Sequence, residues 1–141
     1  MFTDGLSSLL SGDPGIAAIV GTSRKDGTNG VFPNVAPDEV LIPYIVYTQT
    51  ARGVILSFDG VNQLQSLRFQ IACYGTPYRA VKNLAQAVKK VLDGYTGQLT
   101  DGSIIDNVIP NAEHDEMEPI FKATMYGVIL DYSFSVIEYL G

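Results

Sequence analysis

The densest set of ionisable side chains in this sequence surrounds its single histidine, His114. The neighbouring carboxylates are Glu113, Asp115, Glu116 and Glu118. Two carboxylates at this spacing would serve general acid-base hydrolysis if one of them lay desolvated in a cleft. The surrounding segment, Asn111 to Pro119, is polar and favours solvated carboxylates. The sequence therefore predicts an acidic surface loop here.

Other catalytic and metal-binding patterns are missing from the sequence. With one histidine and one cysteine, a zinc site would need carboxylate ligands, and the segment around His114 lacks the spacing of a helical metal-binding pair. Ser23 lies in Gly-Thr-Ser-Arg-Lys, not in a Gly-x-Ser-x-Gly nucleophile elbow, and no Gly-x-Gly-x-x-Gly motif follows a predicted strand. We therefore expect no enzyme activity, no cofactor and no metal. A small α+β hydrolase built on the acidic cluster is the alternative.

Composition and charge indicate one globular domain, residues 1–141, with little affinity for phosphates. Nine basic against fifteen acidic residues give a net charge of -6, which opposes tight nucleic-acid binding but suits a surface that lets DNA slide past. A basic signal-peptide start is missing and the apolar runs are too short to span a bilayer, so we expect a soluble, unsecreted protein. The single cysteine, Cys73, is consistent with a reducing compartment and is expected to be buried.

The elements that must position these side chains are organised around residues 67–94. Alternating apolar residues from Leu67 to Cys73 predict a half-buried strand. After it, Thr76 is expected to cap a long amphipathic helix from Pro77 to Leu92, which ends at Gly94. The apolar stripe of this helix consists of Val81, Leu84, Ala85, Val88, Val91 and Leu92. We expect this helix to cover one face of a sheet.

The part of the chain before this pair predicts two short helices and a strand. The helices lie within residues 4–21, and Asp13 is expected to cap the second of them. A long polar loop follows at 22–40. The strand at 41–50 should begin pairing after Pro43, and the stretch at 52–58 either extends it or forms an edge.

The part after the helix predicts a loop and two strands. The loop spans 95–102, and the first strand, 104–109, ends at Pro110. Strict alternation predicts a long second strand at 120–139, with a bend or bulge near Gly127 because its length exceeds that of a typical strand. This order of elements indicates an α+β fold in which helices cover one face of a largely antiparallel sheet.

A series of short motifs runs in a fixed order along nearly the whole chain. The motifs are Asp13-Pro-Gly-Ile-Ala-Ala-Ile-Val-Gly21, Val31-Phe-Pro33, Ile42-Pro-Tyr-Ile-Val-Tyr47, Asp59-Gly60, Leu67-Arg-Phe-Gln-Ile-Ala-Cys-Tyr74, the helix from Ala80 to Leu92, Gly94-Tyr-Thr-Gly97, Glu118-Pro119 and Leu130-Asp-Tyr-Ser-Phe134. Each is weak alone, but their order resembles the tail completion, or tail terminator, proteins of long-tailed bacteriophages and prophages. The chain departs from that family at Thr22 to Gly30, which is inserted or extended.

The resemblance implies a structural virion protein that is assembled in the host cytoplasm. Such a subunit closes into a homo-oligomeric ring, commonly a hexamer, at the head-proximal end of the tail. There it would stop growth of the tail tube protein and bind the head connector or stopper protein. Its lumen would pass DNA without specific binding, and no membrane is involved.

Two polar segments, 22–36 and 111–119, are expected to contact neighbouring subunits or rings. The candidate contact residues are Arg24, Lys25, Arg52, Glu113, Asp115, Glu116 and Glu118. Besides the hydrolase, two alternatives remain. One is another neck component, such as a head completion or stopper protein. The other is a small-molecule or peptide-binding module, which would need a sizeable apolar pocket in the monomer.

Overall fold

Three helices and six strands make up the described part of the computed structural model, which covers residues 2–20, 30–35, 42–57, 62–120 and 123–139. The helices are α1 (Phe2–Ser11), α2 (Pro14–Val20) and α3 (Tyr78–Leu92). The strands are β1 (Val31–Pro33), β2 (Tyr44–Ser57), β3 (Asn62–Gly75), β4 (Gly97–Gln98), β5 (Ile104–Ile120) and β6 (Ala123–Tyr139). None of the described helices combines the length and the apolar character needed to cross a membrane.

The strands form one mixed sheet in the order β1-β2-β3-β6-β5-β4. β1 runs parallel to β2, and each of the other neighbouring pairs is antiparallel. β2 begins at Tyr44, directly after Pro43, as predicted from the missing amide of proline, and it continues as one strand to Ser57. The predicted α+β class is confirmed. The short strands β1 and β4, however, lie in segments predicted as loops.

One face of the sheet is covered by three short helices, not by one long helix. α3 has 15 residues and a length of about 22 Å, whereas β5 and β6 have 17 residues each and would reach about 56 Å if straight. The amphipathic helix predicted at 77–92 is present as α3, but it is too short to cover the sheet alone, which corrects the expectation of a long covering helix. Leu6 of α1, Ile16 of α2 and Leu84 of α3 are all fully buried in the same apolar core.

The helix ends follow the sequence signals in two places and depart from them in one. The Asp13 carboxylate accepts a hydrogen bond from the Ile16 amide at 3.0 Å, so the predicted cap of α2 is confirmed. Gly94 has a φ of 69°, the left-handed conformation expected after a helix. Thr76 does not cap α3, because Pro77 occupies the N-cap position and no side chain bonds there.

The core is centred on three phenylalanines from distant parts of the chain. The ring centroid of Phe2 lies 5.5 Å from those of Phe69 and Phe134, and the last two are 5.7 Å apart. Cys73 is fully buried in the same core, as predicted, and burial raises the pKa of its thiol to about 12. The thiol therefore stays protonated and packs as a small apolar group.

β5 is longer than the sequence indicated. It runs through the acidic segment to Ile120, so the prediction of a strand ending at Pro110 followed by an acidic loop is wrong. The polar half pairs residue by residue with apolar β6, for example Glu113 with Leu130 and Asp115 with Val128. Cross-strand hydrogen bonds to a strongly patterned neighbour, not the propensity of the segment itself, set its conformation.

The predicted bulge near Gly127 lies elsewhere. β6 pairs with β3 in an unbroken register through Gly127, whereas register shifts occur in β5, between Ile105 and Asn107 and between Pro110 and Ala112. Gly127 has a packing role, because a Cβ atom there would lie 2.9 Å from Cε1 of Tyr74. The long strand is thus accommodated by irregularities in its neighbour.

Candidate assembly surface on strand β5

The acidic residues of β5 project from alternate faces of the strand. Glu113 and Asp115 lie on the side of the sheet that carries α3, where they form ion pairs with Lys89 at 2.6 Å and Lys82 at 2.8 Å. Glu116 lies on the opposite face. The backbone of Glu118 belongs to the same strand, and its side chain is outside the described part of the structure. The predicted cluster is therefore divided by the pleat.

Asp115 lies at the centre of a small polar contact between β5 and α3. Its carboxylate accepts hydrogen bonds from Lys82 Nζ at 2.8 Å and from the Tyr78 hydroxyl at 2.6 Å. The Lys82 hydrogen bond, followed by that of Tyr78, lowers the pKa of Asp115, and the Asp115 hydrogen bond raises the pKa of Lys82. A general acid needs a raised carboxyl pKa, so this arrangement braces the helix and is unsuited to proton donation.

His114 and Glu116 form an exposed pair on the opposite face. His114 Nε2 lies 3.4 Å from Glu116 Oε1, and both side chains are 55% exposed. Within the described ranges, no group of three or more histidine, cysteine or carboxylate residues is placed to hold a metal ion. The two side chains are solvated, as predicted for this segment, and lack the desolvated cleft that the hydrolase alternative requires.

An exposed apolar patch adjoins the acidic part of β5. Met117 is 68% exposed and Tyr78 is 39% exposed. The Tyr78 ring packs edge-on against Tyr126, with centroids 5.4 Å apart, and a shallow cavity of about 410 Å³ is formed by these three residues with Asp115 and Glu116. Aromatic and methionine side chains of this kind are enriched at protein interfaces. Sequence reasoning missed the patch because it treated 111–119 as a loop.

The outer edge of β5 carries little pairing within the chain. β4 pairs with β5 only at Ile104 and Ile105, and no other described strand lies beyond β5 from Asp106 onward. On the opposite side of the sheet, β1 pairs with β2 only from Ile45 to Tyr47. In the described sheet the outer edge of β2 is therefore also open from Thr48 onward. Unpaired edges are templates for another chain.

The other predicted contact residues have different positions. Arg52 Nε donates a hydrogen bond to Oε1 of Gln65 at 2.7 Å, and Gln65 is fully buried. Arg52 thus satisfies a buried amide of its own subunit. Arg24 and Lys25 lie outside the described residues.

A second concave surface lies between the helices and the β4 loop. It is an open groove of about 1040 Å³. Its larger apolar lining residues are Leu9, Ile19, Val91, Tyr95 and Leu99. The charged lining residues are Asp13, whose carboxylate is bound to the Ile16 amide, and Lys90. The groove has the size that the binding-module alternative requires.

Comparisons with known proteins give a consistent result. The family model described as tail completion protein gp17 matches residues 4–136. A chain in the solved structure of the virion of a native gene transfer agent particle superposes with a TM-score of 0.67 at 20% identity, over 96% of this chain and 93% of that one. No curated protein matches. The structural likeness establishes a common fold, and the family match spans most of the sequence. This chain belongs to the tail completion gp17 family of structural tail proteins.

Proposed function

We propose that this protein is the subunit of a hexameric ring that caps the head-proximal end of the tail tube and joins it to the head connector. The observation that carries the proposal is the family match over residues 4–136, in a chain whose fold is shared with a component of a virion particle. Bacteriophage tail completion is a structural task, which supports a protein without catalytic activity.

Two sheet edges that are open among the described residues support assembly with other chains. One edge is formed by β2 from Thr48 onward and the other, at the opposite edge of the same sheet, by β5 from Asp106 onward. A subunit with two different binding edges forms heterologous contacts, and these close into rings when the rotation between neighbours permits. The exposed patch of Tyr78 and Met117 beside β5 adds an interface-like surface.

The sheet face opposite to the helices supports passage of DNA without binding. Among the described strand residues on this face, Arg68 is the one cation, and it is neutralised by Asp131. The Arg68 guanidinium donates from Nε to Oδ1 at 3.0 Å and from Nη2 to Oδ2 at 2.6 Å. Other polar residues on this face of the sheet include Gln70, Asn111 and Ser133. Few free cations mean few phosphate contacts, so DNA would be held weakly.

The direct test is electron microscopy of particles assembled without this protein. We expect overlong tails or heads without attached tails, and supplying the wild-type chain should restore joined particles. A matched control is the chain with Leu84→Asp, which should not fold and should not restore joining. Tails of normal length that are attached to heads in the absence of the chain would contradict the proposal. Heads that leak DNA beside finished tails would favour a head completion or stopper protein.

A further inference from the structure

We propose that the outer edge of β5, from Ala112 to Glu116, pairs with the outer edge of β2, from Thr48 to Gly53, of a second copy of this chain. This inference rests on the proposed ring and specifies the contact that closes it. The residues from 111 to 117 and from 49 to 53 are all exposed in the subunit. Both stretches are already in strand conformation, so pairing requires little ordering.

The charges of the two edges favour this pairing over a symmetric one. Between Ala112 and Met117, β5 carries three acidic residues, whereas β2 from Thr48 to Ser57 has one cation, Arg52, and no acidic residue. Two β5 edges placed together would oppose carboxylates to carboxylates, which is destabilising. The acidic edge of β5 therefore favours β2 of a neighbour over a second β5.

Strand direction permits the same contact to repeat. Three successive antiparallel pairings separate β2 from β5, so the two edge strands run in opposite directions. A neighbour related by a simple rotation presents its β2 antiparallel to β5, and the sheet continues across the junction. Head-to-tail use of two different edges is the geometry that a closed ring requires.

The open stretches fix how neighbours are offset along the strands. Within one subunit Thr48 lies level with Ala112, through Gln70 and Asp131. Placing Thr48 of the neighbour opposite Glu116, which lies on the same face of the sheet, shifts it by four residues, about 13 Å. A strand tilt of about 35–45° across four strands, about 19 Å wide, produces an offset of about 13–19 Å. The offset thus agrees with sheets that tilt as they do in closed barrels.

Further pairing is blocked at the N-terminal end of the β2 stretch and near both ends of the β5 stretch. On β2, the next residue towards the N-terminus, Tyr47, is already paired with β1. On β5, Pro119 lacks an amide donor and Pro110 lies just before Ala112. β2 has a register irregularity between Gln49 and Ala51, so Thr50 is an extra residue in the pairing, and Ala51 comes to lie opposite His114.

Disulfide cross-linking between copies tests the pairing and its register. In the proposed register Ala51 lies opposite His114 on the same face, within reach of a disulfide. Mixing the full-length variants Ala51→Cys and His114→Cys under oxidation should give a covalent dimer. Ala51→Cys mixed with Lys90→Cys, which alters an exposed residue of α3, should give none. Native Cys73 is fully buried and does not interfere.

The outcomes separate this inference from the proposed function. A dimer with Ile109→Cys in place of His114→Cys would show neighbours without the offset and would overturn the proposed register. A monomeric chain, or a ring that forms without either cross-link, would overturn the edge pairing. The proposed function would still hold if the ring formed without cross-links and particles assembled without this protein still had unjoined heads and tails.

A charge substitution on β2 gives an independent test. Gln49 is exposed, and its side chain would face the acidic edge of the neighbour. Gln49→Glu should weaken self-association about tenfold at low salt, and Gln49→Lys should not weaken it. Unfolding midpoints that match the wild type would show that both variants fold. Equal effects of the two substitutions would contradict an acidic neighbour.

Discussion

The helix-covered core and the C-terminal, outer half of β5, residues 111–117, are held in place in different ways. In the core, Phe69, Phe134 and Leu84 are fully buried, and each large apolar side chain contributes about 1.5–3 kcal/mol. In β5, residues 111–117 are all exposed, and the strand is held by backbone pairing with β6 and by ion pairs to α3. Exposed ion pairs contribute less than about 1 kcal/mol each.

This difference separates the parts of the molecule that fold the subunit from the part that is available to neighbours. Substitutions in the core should act on unfolding, because they change buried area and packing. Substitutions on the outer half of β5 should act on assembly, because little of its surface is buried within the subunit. The following changes test that division, from the largest expected effect on stability to the smallest.

Leu84→Asp should abolish folding. Leu84 has no exposed surface, so the substitution removes an apolar side chain and buries an unpaired carboxylate. We expect the free energy of unfolding to fall by more than about 4 kcal/mol. Circular dichroism during heating measures the change. The matched surface substitution, Glu116→Ala, should alter the free energy of unfolding by less than about 0.5 kcal/mol. An unchanged melting temperature for Leu84→Asp would show that α3 does not cover the core.

Gly127→Ala should destabilise the subunit by about 1–3 kcal/mol, through overpacking. The new methyl group would lie 2.9 Å from the ring of Tyr74, which packs in turn on Tyr44 with centroids 5.4 Å apart. Urea denaturation measures the loss. Combining Gly127→Ala with Tyr74→Ala should cost less than the sum of the single changes. Strict additivity would show that the two residues do not meet.

Asp13→Ala should destabilise the subunit by about 1 kcal/mol. The change removes the acceptor that binds the Ile16 amide at the start of α2. Asp13→Asn keeps an oxygen acceptor and should retain most of the stability. If both substitutions reduced the unfolding midpoint equally, the negative charge and not the hydrogen bond would be responsible.

Asp115→Asn should have the smallest effect on folding, below about 1 kcal/mol, because Asp115 is exposed and its partner Lys82 is only half-buried. The pKa of Asp115 is lowered in the folded state, so its contribution is present above the unfolded pKa and is lost as the pH falls through the folded pKa. The stability difference between wild type and variant should therefore shrink below about pH 4. A difference that grew in acid would contradict the ion pair.

Sequence patterns predicted the elements whose own residues determine their conformation. The alternation of β6, the Asp13 cap, the Gly94 conformation and the start of β2 after Pro43 all have local causes. The acidic half of β5 has no apolar alternation, and its strand conformation comes from pairing with β6. The helix predicted at 77–92 is present as α3, but it shares one core with α1 and α2 and does not cover the sheet alone.

The candidate surface was predicted only in part, for the same reason. The acidic residues were predicted as contacts, but Glu113 and Asp115 bind lysines of α3, and Arg52 binds Gln65 of its own subunit. Successive side chains of a strand point to alternate faces, and this alternation decides which acidic residues face outward. A segment predicted as a loop has no such alternation, so their directions could not be predicted. The open edges follow from strand order, which no local pattern encodes.

A cryo-electron microscopy map of the head-proximal end of assembled tails tests the central claim most directly. We expect a closed ring of this chain between the tail tube and the head connector, with β5 of each copy beside β2 of the next. A map in which this chain is absent from that end of the tail, or is present as a single copy that touches no other copy, would contradict it.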